Sequence, residues 1–184
     1  MPVLKAETDL FPSNLFSDEL QADSDRKWWA VYTKSRQEKA LARQLEGMSV
    51  PFYLPLVPQN RIVGNRRLQS LSPLFSSYMF VFGNDADRIS TLSTKRVTQM
   101  LCAADTKVMT SDLTGIRTLI AAGVAMTLES RLEPGRRVRV KNGSLMGMEG
   151  VVVSRRGRDR LLVAVEFLQQ GVSVEISDFQ VELV

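Results

Sequence analysis

The residues able to do chemistry in this sequence are mostly arginines and lysines. There are 24 of them against 20 carboxylates, with no histidine and one cysteine, Cys102. Without imidazole, the usual general base near neutral pH and the commonest metal ligand are missing. Neither a G-x-x-x-x-G-K-[ST] phosphate loop nor a Rossmann glycine pattern occurs. Carboxylate or lysine chemistry stays open on composition, but the spacing singles out no carboxylate pair for acid–base work. No catalytic residue, metal ligand or cofactor is therefore expected. Cationic side chains without such partners neutralise phosphates or acidic protein surfaces. Lys34 and Arg36 in YTKSR, and Arg61, Arg66 and Arg67 in NRIVGNRR, form two such groups. A solvated face is the alternative for each.

The distribution of charge says more than its sum of +4. Residues 1–25 hold six acids and one base, and residues 26–130 hold fourteen bases and seven acids. Residues 131–160 hold nine bases and three acids, whereas residues 161–184 hold four acids and no base. Positive charge thus lies in the middle of the chain and on one part of its C-terminal end, which suits a polyanionic or acidic partner. No apolar run approaches the roughly 18 residues needed to cross a bilayer. The N-terminus lacks the basic and apolar regions of a secretory signal, so a cytoplasmic protein without membrane contact is expected. Cys102 allows no internal disulfide and is expected as a small buried side chain.

The elements that must position these residues follow from periodicity. Residues 1–26 are acidic and without period, and are expected as a flexible arm. WWAVYT alternates as a strand. QEKALARQLEGM has helical spacing, and VPFYLPLVP is a strand broken by prolines. NRIVGNRRLQS fits a basic hairpin turning at Gly64-Asn65. In PLFSSYMFVF, Tyr78, Phe80 and Phe82 fall on one strand face, and Met79 and Val81 on the other. A short helix capped by Asp85, a strand over 97–101 and a helix over 112–121 complete the first domain, 27–123. Residues 124–134 are expected as a linker. Five short strand runs follow over 135–184. Two of them flank the glycine loop NGSLMGMEG, whose tip carries Leu145 and Met146. The expected fold is two-domain α+β: an N-terminal α/β sandwich on a mostly antiparallel sheet, then a small SH3-like five-stranded β-barrel.

These pieces resemble the bacterial NusG family of transcription elongation and antitermination factors, including its specialised RfaH-like paralogues. The resemblance covers Lys27 to Val184 and rests on WWAVYTKSRQEKA, YLPLVP, PLFSSYMFVF and TKRVTQML, followed by the Kyrpides–Ouzounis–Woese motif VRVKNGSLMGMEGVVV. It implies a non-enzymatic protein that binds RNA polymerase and modulates pausing, termination or antitermination. Tyr32, Phe75, Tyr78 and Phe80 match the positions that grip the polymerase clamp helices. Lys34 and Arg36 match positions near the non-template strand of the transcription bubble, with Arg61, Arg66 and Arg67 toward upstream DNA or the polymerase. In the C-terminal domain, Leu145, Met146 and Phe167 match the surface for the termination factor Rho or a NusE-type ribosomal protein. Glu38 matches the family pattern. Two departures stand out: Ser76-Ser77 replaces Pro-Gly or Pro-Asn, and Asp87–Ser90 replaces a polar cluster of the RfaH branch. Because ribosomal proteins share the C-terminal motif, a ribosome-associated or RNA-binding module is the rival.

Overall fold

A computed structural model describes residues 7–63, 66–129, 135–155, 158–176 and 181–184; the side chains of 60–69 and 155 lie outside the description. The chain divides into two compact units, Met1–Thr106 and Lys107–Val184. The first holds β1 (Leu10–Phe11), α1 (Asp18–Gln21), β2 (Lys27–Thr33), α2 (Glu38–Gly47), β3 (Phe52–Tyr53), β4 (Leu56–Val63), β5 (Arg66–Pro73), β6 (Tyr78–Gly83), α3 (Asp85–Ser93) and β7 (Val97–Cys102). Its main sheet runs β1-β3-β6-β2-β7, with β4 and β5 as a separate ribbon. All pairings are antiparallel, and β2 meets β6 in a register of Trp28↔Phe82, Ala30↔Phe80 and Tyr32↔Tyr78.

Side-chain alternation explains the two layers. Val31, Met79 and Val81 point to one face and are buried against Leu41, Ala42 and Leu45 of α2. α2 presents these residues on one stripe, as the 3.6-residue repeat requires. Trp28, Phe80 and Phe82 lie on the opposite face and are equally buried. α3 begins at Asn84, whose side chain accepts from the Asp87 amide at 3.0 Å while the Asp87 carboxylate accepts from the Asn84 amide at 3.1 Å. This capping box replaces the expected cap at Asp85. It also gives Asp87, one of the departures from the RfaH branch, a structural use.

The acidic arm is a correction. From residue 9 onward it is structured: β1 pairs with β3, and the Leu54 amide donates to the Asp9 carbonyl at 2.7 Å. Leu15 is fully buried, and Phe16 packs on Trp28 and edge-on to Tyr53, at ring separations of 5.7 and 5.4 Å. The apolar residues of LFPSNLF outweigh the surrounding acids, because burying them keeps the aromatic face of the sheet from water.

The second unit holds α4 (Thr106–Ala122) and β8 (Met126–Glu129), then β9 (Arg136–Val140), β10 (Glu149–Arg155), β11 (Arg158–Val165), β12 (Gln170–Glu175) and β13 (Val181–Leu183). Its sheet runs β13-β9-β10-β11-β12-β8. This corrects two expectations. There are six strands instead of five, and the end strands β13 and β8 are not paired with each other among the described residues, so the sheet is an open ladder and not a closed barrel. The sixth strand comes from the expected linker: Met126–Glu129 pairs with Val174–Gly171 of β12. A polar network holds it. Buried Ser173 donates to the Glu129 carboxylate at 2.6 Å, and the Arg160 guanidinium donates to Ser173 at 2.8 Å and to Thr127 at 2.9 Å. α4 is also longer than expected and is grouped with this sheet, not with residues 27–106.

Truncating Leu15 tests whether the arm belongs to the core. Leu15→Ala is expected to lower the unfolding free energy by about 2–4 kcal/mol, as for a fully buried leucine. A chemical-denaturation midpoint unchanged from wild type would show the arm to be undocked.

Candidate functional site

Three loops meet at one end of the first sheet, where β2 runs out and β6 begins. The Thr33 amide donates to the Ser77 carbonyl and the Lys34 amide to the Arg96 carbonyl, each at 2.8 Å. The loop after β2, the one before β6 and the one after α3 are thereby tied together. Each carries a residue other than glycine in the left-handed region: Arg36 (φ 59°), Ser77 (φ 64°) and Lys95 (φ 60°). Such residues cost on the order of 1–2 kcal/mol each, so the fixed contacts must hold them. At Ser77 the support is visible. Buried Glu38 accepts the Ser77 amide at 2.7 Å. The carboxylate thus braces the turn at Ser76-Ser77.

This end of the sheet is basic. Lys34, Lys95 and Arg96 line a cavity of about 310 Å³. Arg36 and Lys39 line a second of about 500 Å³ beside β4 and β5. Arg96 is fixed by Gln44, at 3.1 Å, and by Gln37. Among the described residues, Lys34, Arg36 and Lys95 have no carboxylate within ion-pairing distance. Arg61, Arg66 and Arg67 fall on β4 and β5, paired as Arg61↔Leu68, Ile62↔Arg67 and Val63↔Arg66, and their side chains lie outside the described residues.

Tyr32 and Tyr78 are cross-strand partners beside this basic end, with ring centroids 5.1 Å apart. Tyr32 is 40% exposed and Tyr78 is half-buried. Phe75 and Phe80 are not exposed beside them. Both are fully buried, edge-to-face at 6.3 Å. The expectation that these two form contact surface is therefore corrected. Both faces of β6 are covered, Met79 and Val81 packing with α2 and Phe80 and Phe82 with Phe75 and Trp28, and only its first residue reaches the open end. Leu101, 40% exposed, and Gln99 were not anticipated. They pair with Ala30 and Tyr32 and so share the tyrosine face. Alternation in VTQMLC carries that signal once its neighbour is known.

In the second unit, Leu145 is buried in the glycine loop, whereas Met146 beside it is 72% exposed and Phe167 is half-buried. Leu145 is thus a core residue, a second correction. Its chain direction into the 3₁₀ turn Gly143–Leu145 turns the side chain inward and leaves Met146 at the tip. Cys102, expected to be buried, is exposed at the end of β7. Among the described residues, no group of histidine, cysteine or carboxylates could hold a metal ion, and no helix is long and apolar enough to cross a membrane.

The arrangement is a mixed α/β unit with a short aromatic surface beside a basic loop cluster. The family model described as "Transcription termination factor nusG" matches residues 26–117. The chain belongs to the NusG family and is, in general terms, a transcription elongation factor; the family's members are non-enzymatic transcription factors. Among solved structures it is similar to one described as the MjSpt4:Spt5 complex in conformation B. That match has 14% identity and a TM-score of 0.27, covering 85% of this chain and 97% of that chain. No curated protein matches the chain.

The brace at Ser77 can be removed alone. Glu38→Ala leaves the Ser77 amide without its acceptor and is expected to cost about 1–3 kcal/mol in urea unfolding. Glu38→Gln, which keeps an acceptor oxygen, should cost less. Equal midpoints for Glu38→Ala and wild type would show that the bond contributes nothing.

Proposed function

We propose that this protein binds elongating RNA polymerase through the face carrying Tyr32 and Tyr78, with Leu101 and Gln99 beside them, and modulates pausing, termination or antitermination. The observation that carries this is the tyrosine pair, Tyr32 exposed and Tyr78 half-buried, set against a basic loop cluster within the segment matched by the NusG family model. The clamp helices of the polymerase are the proposed partner. Two adjacent phenol rings offer large contact area at small entropic cost. Phe75 and Phe80 are core residues and take no part in this contact. Binding of this kind shifts the polymerase between states only as far as its affinity for them differs.

Lys34 and Arg36, joined by Lys95, are proposed to meet phosphates of the non-template or upstream DNA. Arg61, Arg66 and Arg67 extend the same proposal along the β4–β5 ribbon. The second unit is proposed to recruit a further protein, Rho or a NusE-type ribosomal protein, through Met146 and Phe167. Against the RNA-binding alternative, several cations of that unit are paired internally: Arg139 with Glu149, Lys141 with Glu182 and Arg158 with Glu175.

Two titrations against elongation complexes test the proposal. A Tyr32→Ala, Tyr78→Ala double variant is expected to weaken binding by more than roughly 30-fold, the scale of a binding hot spot of about 2 kcal/mol. Wild-type affinity in a folded double variant would refute the site. Neutralising Lys34 and Arg36 together should reduce the log–log salt slope by about 1.4 on single-stranded phosphates or about 1.8 on duplex. An unchanged slope on every template would leave both as solvated charges.

A further inference from the structure

Two arginines of the first unit are held by carboxylates: Arg26 by Asp23 and Arg43 by Glu7. Arg96 is also held, but by neutral groups. Its Nε donates to Gln44 Oε1 at 3.1 Å, and its Nη1 donates to Gln37 Oε1. Gln37 is the N-cap of α2, yet its side chain makes no capping bond and is spent on Arg96 instead. Gln44 follows two turns later on the same face of the helix. The carboxylates of α2 are engaged elsewhere. Glu38 accepts the Ser77 amide at 2.7 Å, and Glu46 accepts the Thr8 hydroxyl at 3.1 Å. The backbone of Arg96 is tied as well: its carbonyl accepts the Lys34 amide at 2.8 Å, and its amide donates to Thr94 Oγ1 at 3.4 Å. One residue thus joins α2 to the loops after β2 and after α3.

A guanidinium carries more N–H donors than these glutamines use. Among the described residues, no carboxylate stands within ion-pairing distance of Arg96. Half-buried, it lines the cavity of about 310 Å³ together with exposed Lys34 and Lys95.

We infer that Arg96 is a phosphate-binding residue of the basic loop cluster, with Gln37 and Gln44 as its positioning residues: they hold the guanidinium in place without cancelling its charge. The inference rests on the reading that Lys34, Arg36 and Lys95 meet DNA phosphates. It adds the cation whose direction is set before the partner arrives. A glutamate in either place would hold Arg96 more strongly, through a charge-assisted bond. It would also leave a dipole where the loops now present a charge. An amide oxygen fixes the side chain and leaves its positive charge whole. Lysines bring charge on flexible stems, whereas the planar fork of an arginine matches two phosphate oxygens at once. Freedom already lost in folding is not lost again on binding.

The test titrates the full chain against elongation complexes at several salt concentrations, with urea unfolding alongside. Gln44→Glu keeps an acceptor for the Arg96 Nε. Its urea midpoint should equal or exceed that of the wild type. Its log–log salt slope should nevertheless fall by about 0.7 on single-stranded phosphates or about 0.9 on duplex. If Arg96 served only to hold the loops, this variant would bind like the wild type or better, and that result overturns the inference. Ala22→Glu adds the same charge on the arm and should leave the slope near the wild-type value. Equal falls in the two variants would show net charge at work in place of Arg96, and would also overturn it. Gln37→Leu with Gln44→Leu frees the guanidinium with its charge intact. There the slope should hold while affinity falls by about threefold to tenfold. Wild-type affinity in that variant would refute the positioning role; if it fails to fold, Gln44→Glu against Ala22→Glu decides. Lys34→Gln with Arg36→Gln separates this inference from the reading beneath it. A lower slope there, with none in Gln44→Glu, sinks Arg96 alone. No fall in either sinks the phosphate reading with it.

Discussion

The antiparallel pairing of β2 with β6 governs the first unit. These strands carry large apolar side chains on both faces, Val31, Met79 and Val81 on one and Trp28, Phe80 and Phe82 on the other, so both faces need cover. α2 covers Val31, Met79 and Val81 on one side. On the other, Phe16 from the arm packs over Trp28 and Tyr53. The exposed aromatic surface is what remains at the strand ends, the register pair Tyr32↔Tyr78. The open aromatic surface at this place is thus a consequence of where covering stops, and its small size follows from the same cause. Phe75 and Phe80 cannot be added to it without stripping the core.

The basic loops are placed by the same pairing. Because Tyr32 and Tyr78 are in register, the chain leaving β2 and the chain entering β6 emerge side by side. The backbone bonds from Thr33 to Ser77 and from Lys34 to Arg96 then close the end of the sheet. Left-handed backbone at Arg36, Ser77 and Lys95 is held against its local preference by these bonds and by Glu38. Backbone fixed in this way is already ordered for the proposed contact with phosphate, which favours affinity through preorganisation.

Much of this architecture is legible in the sequence, and the failures have physical causes. WWAVYT and YMFVF announce strands through alternation and aromatic content. QEKALARQLEGM announces its helix through spacing. Alternation does not reveal whether a strand is central or at an edge, so Phe80 looked like Tyr78 although two neighbours enclose it. Acidic composition hid the arm's apolar residues, of which Leu15 is the most buried. β8 was hidden because MTLE is too short to show a period, and its partner lies more than forty residues downstream at Val172. Ser77 was visible as a departure from the family, but Glu38, the residue that accommodates it, could be connected only in three dimensions.

The placement of charge separates the two units more sharply than their composition does. The segment 131–160 is the most basic in the chain, yet among its described residues Arg139, Lys141 and Arg158 are paired with carboxylates, and Arg160 is committed to Ser173 and Thr127. Pairs of this kind contribute only about 0–1 kcal/mol each to stability. Their larger effect is to flatten the field around the second unit, since a paired arginine presents a dipole where a lone one presents a charge. On the first unit, Lys34, Arg36 and Lys95 carry fewer charges but keep them uncompensated among the described residues. In the proposed reading, attraction for a polyanion falls to these loops beside the tyrosine pair, where aromatic contact follows once the charges have brought a partner near.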